Sequence, residues 1–234
     1  MRGVFVTGTD TGAGKTVVAG VVAAGLRARG LRVAASKPVL TGLDEPPGPQ
    51  PPDHELLAAA AGTAPQDVAP LRFGPPVSPH LAAELAGTSI GLDDLLANVE
   101  HAVREAGPAI DALVVEGVGG LLVPLGPGVT VRELALALAL PVVVAARTGL
   151  GTISHTLLTV DAARAAGLDV RAVVLGPWPA EPSAIERSNR TTIAELARIE
   201  VHVLPHTAPG PEALAAAGGA LPLERWLGDA PSHR

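Results

Sequence analysis

Apolar and polar positions along this chain follow two alternating rhythms. Short, nearly continuous apolar runs at 3–7, 32–37, 111–116, 141–146, 170–175 and 201–204 are separated by longer stretches with helical spacing at 15–29, 53–61, 92–105, 131–139, 153–166 and 183–198. A strand that is apolar on both sides has to be covered on both faces, and strands alternating with helices build parallel βαβ units. The pattern predicts an α/β fold, a mostly parallel central sheet with helices on both faces. Pro and Gly gather at 45–52, 74–79 and 117–128, and these segments read as loops.

Composition narrows this picture. The 234 residues, 47% of them hydrophobic, supply the material for one substantial core, and the chain reads as a single domain over 1–234. A net charge of −6, with no Lys/Arg cluster and no aromatic platform, argues against a nucleic-acid partner. The absence of cysteine excludes disulfides, thiolate metal sites and cysteine nucleophiles, and suits a reducing cytosol. The apolar run 134–146 is too short to span a bilayer and is broken by Pro141, and no signal-peptide pattern precedes the first strand. The expectation is a soluble, cytoplasmic protein without a membrane partner. Asn189-Arg190-Thr191 formally matches a glycosylation acceptor and reads as a helix-surface triplet. His54, His101, His202 and His233 lack metal-ligand spacing and read as surface or boundary residues.

The candidate chemistry begins at the first strand–helix junction. Thr7-Gly8-Thr9-Asp10-Thr11-Gly12-Ala13-Gly14-Lys15-Thr16 joins a strand-like run to an apolar helical one, which is the layout of a P-loop. In that layout the main-chain N–H groups of Gly12, Ala13, Gly14 and the start of the helix, through Val17, face an anion, and the helix N-terminus adds partial positive charge. Lys15 would reach β- and γ-phosphates and the Thr16 hydroxyl would ligate Mg²⁺. The usual spacing wants glycine at position 9; this chain has Thr9, and its Gly8 comes one residue early. Of 17 basic residues only two are lysines, Lys15 and Lys37, in a chain that otherwise uses arginine. A compact ammonium suits a tight phosphate pocket better than a planar fork, and Lys37 ends the second predicted strand beside Pro38. Leu113-Val114-Val115-Glu116 resembles a Walker-B strand, an apolar strand ended by a carboxylate for Mg²⁺, and Gly117-Val118-Gly119-Gly120 follows it. Asp53 by itself reads as a helix N-cap. The Thr148–His155 segment is a glycine turn opening a helix, a potential carboxylate site, although taken alone Thr152 or Ser154 reads first as the helix cap. In open α/β sheets ligands bind beyond the carboxyl ends of the strands, and Lys15, Lys37, Glu116 and the 147–152 segment all lie just past predicted strand ends.

Taken together, these blocks, with Lys37-Pro38-Val39-Leu40-Thr41-Gly42, Ser78-Pro79-His80 and Gly149-Leu150-Gly151-Thr152-Ile153-Ser154-His155, resemble dethiobiotin synthetase in content and order. That family's P-loop also carries the extra residue seen here as Thr9. The resemblance implies ATP- and Mg²⁺-dependent chemistry on 7,8-diaminononanoate. One amine takes up CO₂ as a carbamate, the carbamate oxygen attacks the γ-phosphate, and the neighbouring amine captures the carbamic–phosphoric anhydride to close a cyclic urea. It implies that Lys15 and Lys37 neutralise carbamate and γ-phosphate, that Thr16, Asp53 and Glu116 position Mg²⁺, and that Thr11 and Thr41 lie near diamine and carbamate. Gly117, Val118 and Gly119 would join the nucleotide site. Gly151, Thr152, Ile153 and Ser154 would receive the substrate carboxylate from the partner subunit of a homodimer. Gly176, Pro177, Pro205, His206, Thr207 and Glu212 fall where the family borders base and ribose.

Two departures carry expectations of their own. Family members often have Asn where Ser154 stands, and the shorter serine implies a shorter contact to the substrate tail, with room for a bridging water. Many also carry an Asn after the fifth strand that reads adenine, where this chain has Gly176-Pro177-Trp178-Pro179. The second departure predicts relaxed or altered base selectivity, with CTP or another nucleoside triphosphate serving beside ATP. The rival readings are a partitioning-type P-loop ATPase, whose signature lysine is replaced here by Asp10, and a cobyrinic acid synthase-like amidoligase, which usually adds a glutaminase domain with a cysteine.

Overall fold

The computed structural model describes residues 2–229 other than Pro47 and Pro49; His233 and those two loop prolines lie outside the described residues. The chain opens with β1 (Arg2–Gly8), α1 (Lys15–Ala28), β2 (Val33–Ser36), α2 (Asp53–Ala61), and two short helices, α3 (Pro65–Val68) and α4 (Pro79–Leu85). The middle comprises α5 (Leu92–Ala106), β3 (Ala112–Glu116), a hairpin of β4 (Pro124–Gly126) with β5 (Val129–Thr130), α6 (Val131–Leu138) and β6 (Val142–Ala146). It ends with α7 (Thr152–Ala165), β7 (Val170–Trp178), α8 (Ala184–Ala197), β8 (Glu200–Pro205), α9 (Pro211–Gly218), α10 (Leu223–Trp226) and β9 (Gly228–Asp229).

The main sheet runs β2-β3-β1-β6-β7-β8, all parallel, and β9 adds antiparallel pairing to β1 at Arg2 and Gly3. On that edge β6 first meets β1 at Phe5, so β9 takes up the stretch that β6 leaves open. Alternate strand residues feed two separate cores. Val4, Val6, Val143, Ala145, Ala172 and Val174 pack with α1, α2, α9 and α10, whereas Phe5, Val142, Val144, Val173 and Leu175 pack with α5, α6, α7 and α8. Burial on both faces is why the strands read as continuous apolar runs. Helices α1 and α9 approach closely through glycines: a Cβ on Gly25 would stand 2.5 Å from Leu223 Cδ1 and 3.3 Å from Gly218 Cα.

Several details depart from the sequence reading. The 117–128 segment is not loop throughout, because Pro124–Gly126 folds back on β5 as a hairpin. The 74–79 segment ends in the first residue of α4, where a proline is tolerated because the first helical N–H has no partner to lose. Strand β7 continues past 175 to Trp178, with a register shift between Leu175 and Trp178 that accommodates Gly176 and Pro177. His54 is buried in α2, not at the surface, and burial lowers its pKa. Asn189 is also buried: it sits in the stripe Asn189, Ile193, Ala197 with which α8 packs inward, so the surface reading of that triplet is corrected.

From β1 the chain moves outward to β2, returns to β3, and only then crosses to β6 on the other side of β1. A reversal of this kind leaves a crevice at the carboxyl ends of the central strands. The loop between β1 and α1 occupies that crevice.

Candidate active site

The loop delivers Lys15 as the first residue of α1, with Gly14 at the N-cap in a left-handed conformation, φ 88°. A residue with a Cβ is strained at such an angle, which accounts for glycine immediately before the lysine. At Gly8 the reason for glycine is space, since a Cβ there would lie 2.8 Å from Lys15 Cγ and the missing side chain makes room for the lysine stem. Lys15 is buried, its Nζ donates to the Asp10 carbonyl at 3.0 Å, and burial pulls its pKa down.

Lys37 follows β2 directly. Its segment runs beside 68–75, fixed by main-chain bonds such as Lys37 N to Val68 O at 2.8 Å and Phe73 N to Leu40 O at 2.8 Å. The ammonium is 3% exposed by residue; it donates to Glu116 Oε1 at 2.8 Å and is hydrogen-bonded to Asp53 Oδ2. Glu116, the last residue of β3, is fully buried, and the Thr16 hydroxyl donates to the same Oε1 at 2.9 Å. Asp53 is the first residue of α2, Pro52 is the N-cap, and no side chain caps that helix, so the N-cap reading of Asp53 gives way to an ion pair with Lys37.

The electrostatics follow from burial and pairing. Burial by itself would lower the Lys37 pKa, but Glu116 and Asp53 outweigh it and push it up, so this lysine carries its charge throughout the neutral range. Burial pushes Glu116 up, with Lys37 only partly opposing it, whereas for Asp53 the Lys37 pair overcomes burial and holds the carboxyl below its usual range. Among the described residues, Glu116 Oε2 has no hydrogen-bond partner.

These groups line a cavity of about 580 Å³, together with Thr11, Gly12, Thr41, Val118 and Gly119. A smaller cavity of about 180 Å³ lies against the loop's other flank, with Ala13, Val17, Gly176, Pro177, His206 and Thr207 on its walls; Pro205 lies there too. Gly12, Gly14, Val17 and Gln50 border both spaces, so the loop separates and joins them. The Thr207 hydroxyl is already committed to the Pro205 carbonyl at 2.8 Å. Gly117 lies behind the cavity wall, where a Cβ would meet Val131 and Phe5. Glu212, exposed on the first turn of α9, borders a separate groove beside Arg27 and Gly62.

Gly151 to Ser154 form the start of α7 and line neither cavity. Gly151 is the N-cap, Ser154 is exposed, Ile153 is half-buried, and Thr152 is buried with its hydroxyl donating to the Arg147 carbonyl at 2.6 Å. No side chain caps α7, so neither Thr152 nor Ser154 acts as its cap.

Sequence reasoning missed the residues that hold this turn. Asn189 Nδ2 donates to Thr148 O at 2.9 Å and Gly149 O at 3.2 Å, and Arg147 Nη2 donates to Thr11 O at 2.7 Å, tying the turn to the nucleotide-type loop. The signal for Asn189 was an amide occupying an apolar helix stripe, where a buried polar group has to be hydrogen-bonded. Gln50 was missed as well, since nothing in its spacing sets it apart from the surrounding prolines.

A family model described as an AAA domain matches residues 2–206. The MinC:MinD cell division protein complex of Aquifex aeolicus contains a chain with the same fold, at TM-score 0.55 and 12% identity, covering 100% of this chain and 99% of that one. Closer in sequence, the ATP-dependent dethiobiotin synthetase BioD of Anaeromyxobacter sp. (strain Fw109-5) is 41% identical over 209 residues, 85% of this chain and 91% of the relative. The ATP-dependent dethiobiotin synthetase BioD of Mycobacterium avium (strain 104) is 41% identical over 219 residues, 93% of this chain and 91% of the relative. Similarity of this extent over most of both chains makes this chain a member of the dethiobiotin synthetase family.

Proposed function

We propose that the chain carboxylates 7,8-diaminononanoate and closes its ureido ring with ATP and Mg²⁺; its relatives are named as ATP-dependent dethiobiotin synthetases. The observation that carries this reading is the convergence of the only two lysines in the sequence with two carboxylates in a single cavity. A carbamate that attacks a nucleoside triphosphate brings two anions together. Two buried ammonium groups beside the phosphate-type loop supply the compensating charge in a site of low dielectric, where it acts most strongly. Thr11 and Thr41 line the same cavity and would face the diamine, and no group of the protein has to be modified covalently.

Thr16, Asp53 and Glu116 would hold Mg²⁺. The donors are all oxygen, Glu116 Oε2 is buried without a partner, and no group of three or more His, Cys, Asp or Glu gathers as a metal site among the described residues. That set suits a hard cation that takes one or two carboxylates and completes its shell with phosphate oxygens and water. Bound there, Mg²⁺ would polarise the γ-phosphoryl group and neutralise charge on the leaving phosphate.

The base would enter the smaller cavity. Gly176 offers no side-chain amide, Pro177 and Pro205 offer no N–H, and the Thr207 hydroxyl donates to the Pro205 carbonyl, which leaves the exposed side chains of Gln50 and His206 to meet a base edge, so discrimination among bases is expected to be weak. The kcat/KM for CTP should fall within about tenfold of that for ATP, because a site whose polar side chains are exposed to water leaves no buried group unpaired by the wrong base and so cannot reject it strongly. A preference for ATP above about 10³-fold in steady-state assays would contradict this.

The helix N-terminus at Gly151 to Ser154 would receive the diamine's carboxylate in the partner's site, which requires a homodimer. Its surroundings support that reading: Leu150 is 95% exposed on the turn, and Leu158 and Ile185 are exposed on α7 and the neighbouring α8. A Leu150→Asp variant should shift the sedimentation profile from dimer toward monomer and lose activity in parallel; an unchanged dimer would remove Leu150 from the interface. No helix among the described residues is long and apolar enough to cross a membrane, and with the cysteine-free sequence this supports a cytoplasmic setting.

Carbon from labelled bicarbonate should appear in the product only when diamine, nucleotide and Mg²⁺ are all present. Label incorporation without nucleotide, or none in the complete mixture, would oppose the proposed reaction.

A further inference from the structure

Both lysines of the site are engaged by oxygens of the protein itself. Lys15 Nζ rests on the Asp10 carbonyl, and Lys37 Nζ, almost wholly buried, lies between Glu116 Oε1 and Asp53 Oδ2. The two carboxylates that occupy Lys37 are the same two that the proposed function gives to Mg²⁺. Two ammonium groups face two carboxylates, so the cluster is electrically balanced with nothing bound.

This balance cannot survive metal binding unchanged. A divalent ion held by Thr16 and Glu116 or Asp53 has oxygen ligands at about 2.0–2.1 Å. Lys37 Nζ touches both of those carboxylates, so a doubly charged ion would lie only a few ångströms from the ammonium. The ion's two positive charges would offset the attraction of the two carboxylates for the ammonium, leaving only hydrogen bonds of modest net worth to keep it there. Lys37 has somewhere to go, since its side chain already lines the cavity of about 580 Å³ with Thr11 and Thr41.

We propose that Lys37 is a displaceable internal counter-ion: it neutralises Asp53 and Glu116 in the free protein, and Mg²⁺–nucleotide takes over those carboxylates and releases the ammonium into the cavity. This rests on the metal reading of the proposed function. Its consequence is an order of events. Lys37 meets the carbamate only after the metal–nucleotide has bound, so the carbamate is captured productively where a γ-phosphate is already in place. Before that, the buried Glu116 carboxylate is kept paired, which avoids the heavy cost of leaving it alone in the interior.

The chain's two lysines make a direct test practicable, because protein labelled with ¹⁵N at lysine Nζ has only two side-chain ammonium signals. A Lys37→Arg variant, which loses one of them, assigns the Lys37 signal. In the free protein the Lys37 hydrogens should exchange slowly with water. Mg²⁺ with β,γ-methylene-ATP should shift the signal and speed that exchange, whereas the same nucleotide without metal should leave the Lys37 signal in place. An unmoved Lys37 signal, with a moved Lys15 signal reporting that Mg²⁺–nucleotide has bound, would overturn the proposal while leaving the reaction assignment intact. If both signals stay put, no nucleotide binds and the reaction assignment falls with it. Lys37→Met supplies a second readout: with the competing cation gone, Mg²⁺ alone should bind about tenfold more tightly by calorimetry, in the range typical of coupled sites. Equal or weaker Mg²⁺ binding would count against displacement.

Discussion

Lys37→Ala is expected to lower turnover by roughly 10²–10³-fold or more, the loss typical when a charge aimed at developing negative charge is removed from a dry site. The ammonium is almost fully buried and ends at the cavity that the carbamate and γ-phosphate would share, so no water-exposed group replaces it. The same change has a cost in stability. Glu116 is fully buried and Lys37 is its only cationic hydrogen-bond partner among the described residues; removing one side of a buried pair typically costs about 3–5 kcal/mol. The pH dependence gives the cause a signature. Burial already raises Glu116, and without Lys37 opposing it the folded-state pKa rises further above the unfolded value. A group raised in this way takes up a proton on folding, so its stabilising contribution is full below the unfolded pKa and is lost as pH rises through the folded one. The variant should therefore recover part of its lost thermal stability as pH falls from neutral toward the carboxylate range, relative to the parent. Parent-like turnover would remove Lys37 from the reaction, and a stability deficit independent of pH would show that Glu116 is not the group left unpaired.

Glu116→Gln should raise the Mg²⁺ concentration needed for half-maximal rate by about 10²-fold while leaving the maximal rate less affected. Gln keeps the size of the side chain and an oxygen to accept from Thr16 and Lys37, and removes only the charge. Asp53 and Thr16 would still be present to hold the ion, so saturating Mg²⁺ should restore part of the activity. The measurement is the Mg²⁺ dependence of phosphate release at fixed nucleotide. An unchanged requirement would place the metal elsewhere and remove the reason for a carboxylate at the end of β3.

Much of the fold was legible because its signals are local. The apolar runs at 111–116 and 141–146 and the helical spacing at 53–61 correspond closely to β3, β6 and α2. The nucleotide-type loop was legible from its strand–glycine–lysine–helix context, and the two lysines stood out against the arginines around them. The unread parts depend on tertiary contact. Pro79 reads as a loop residue yet serves as the first residue of α4, and the 124–130 hairpin ends β4 on Gly126 and carries Gly128 in the tight return to β5. Strand β7 persists through Gly176 and Pro177 because Trp178 still pairs with Pro205 on β8. Helix α9 forms against α1 where Gly25 and Gly218 let the two backbones approach. At the site, sequence alone could place Lys15, Lys37 and Glu116 past strand ends, and it read Asp53 by itself as a helix N-cap. Their convergence on one another, and the tie from Arg147 to the Thr11 carbonyl, come from the strand order that brings β2, β3 and β6 around β1.

The central claim is tested most directly by phosphate release from ATP with Mg²⁺ and bicarbonate, with and without 7,8-diaminononanoate, and by the mass of the product. The account predicts release that depends on the diamine, with one cyclic urea formed per phosphate. Release indifferent to the diamine, or diamine-dependent release without the cyclic urea, would contradict it.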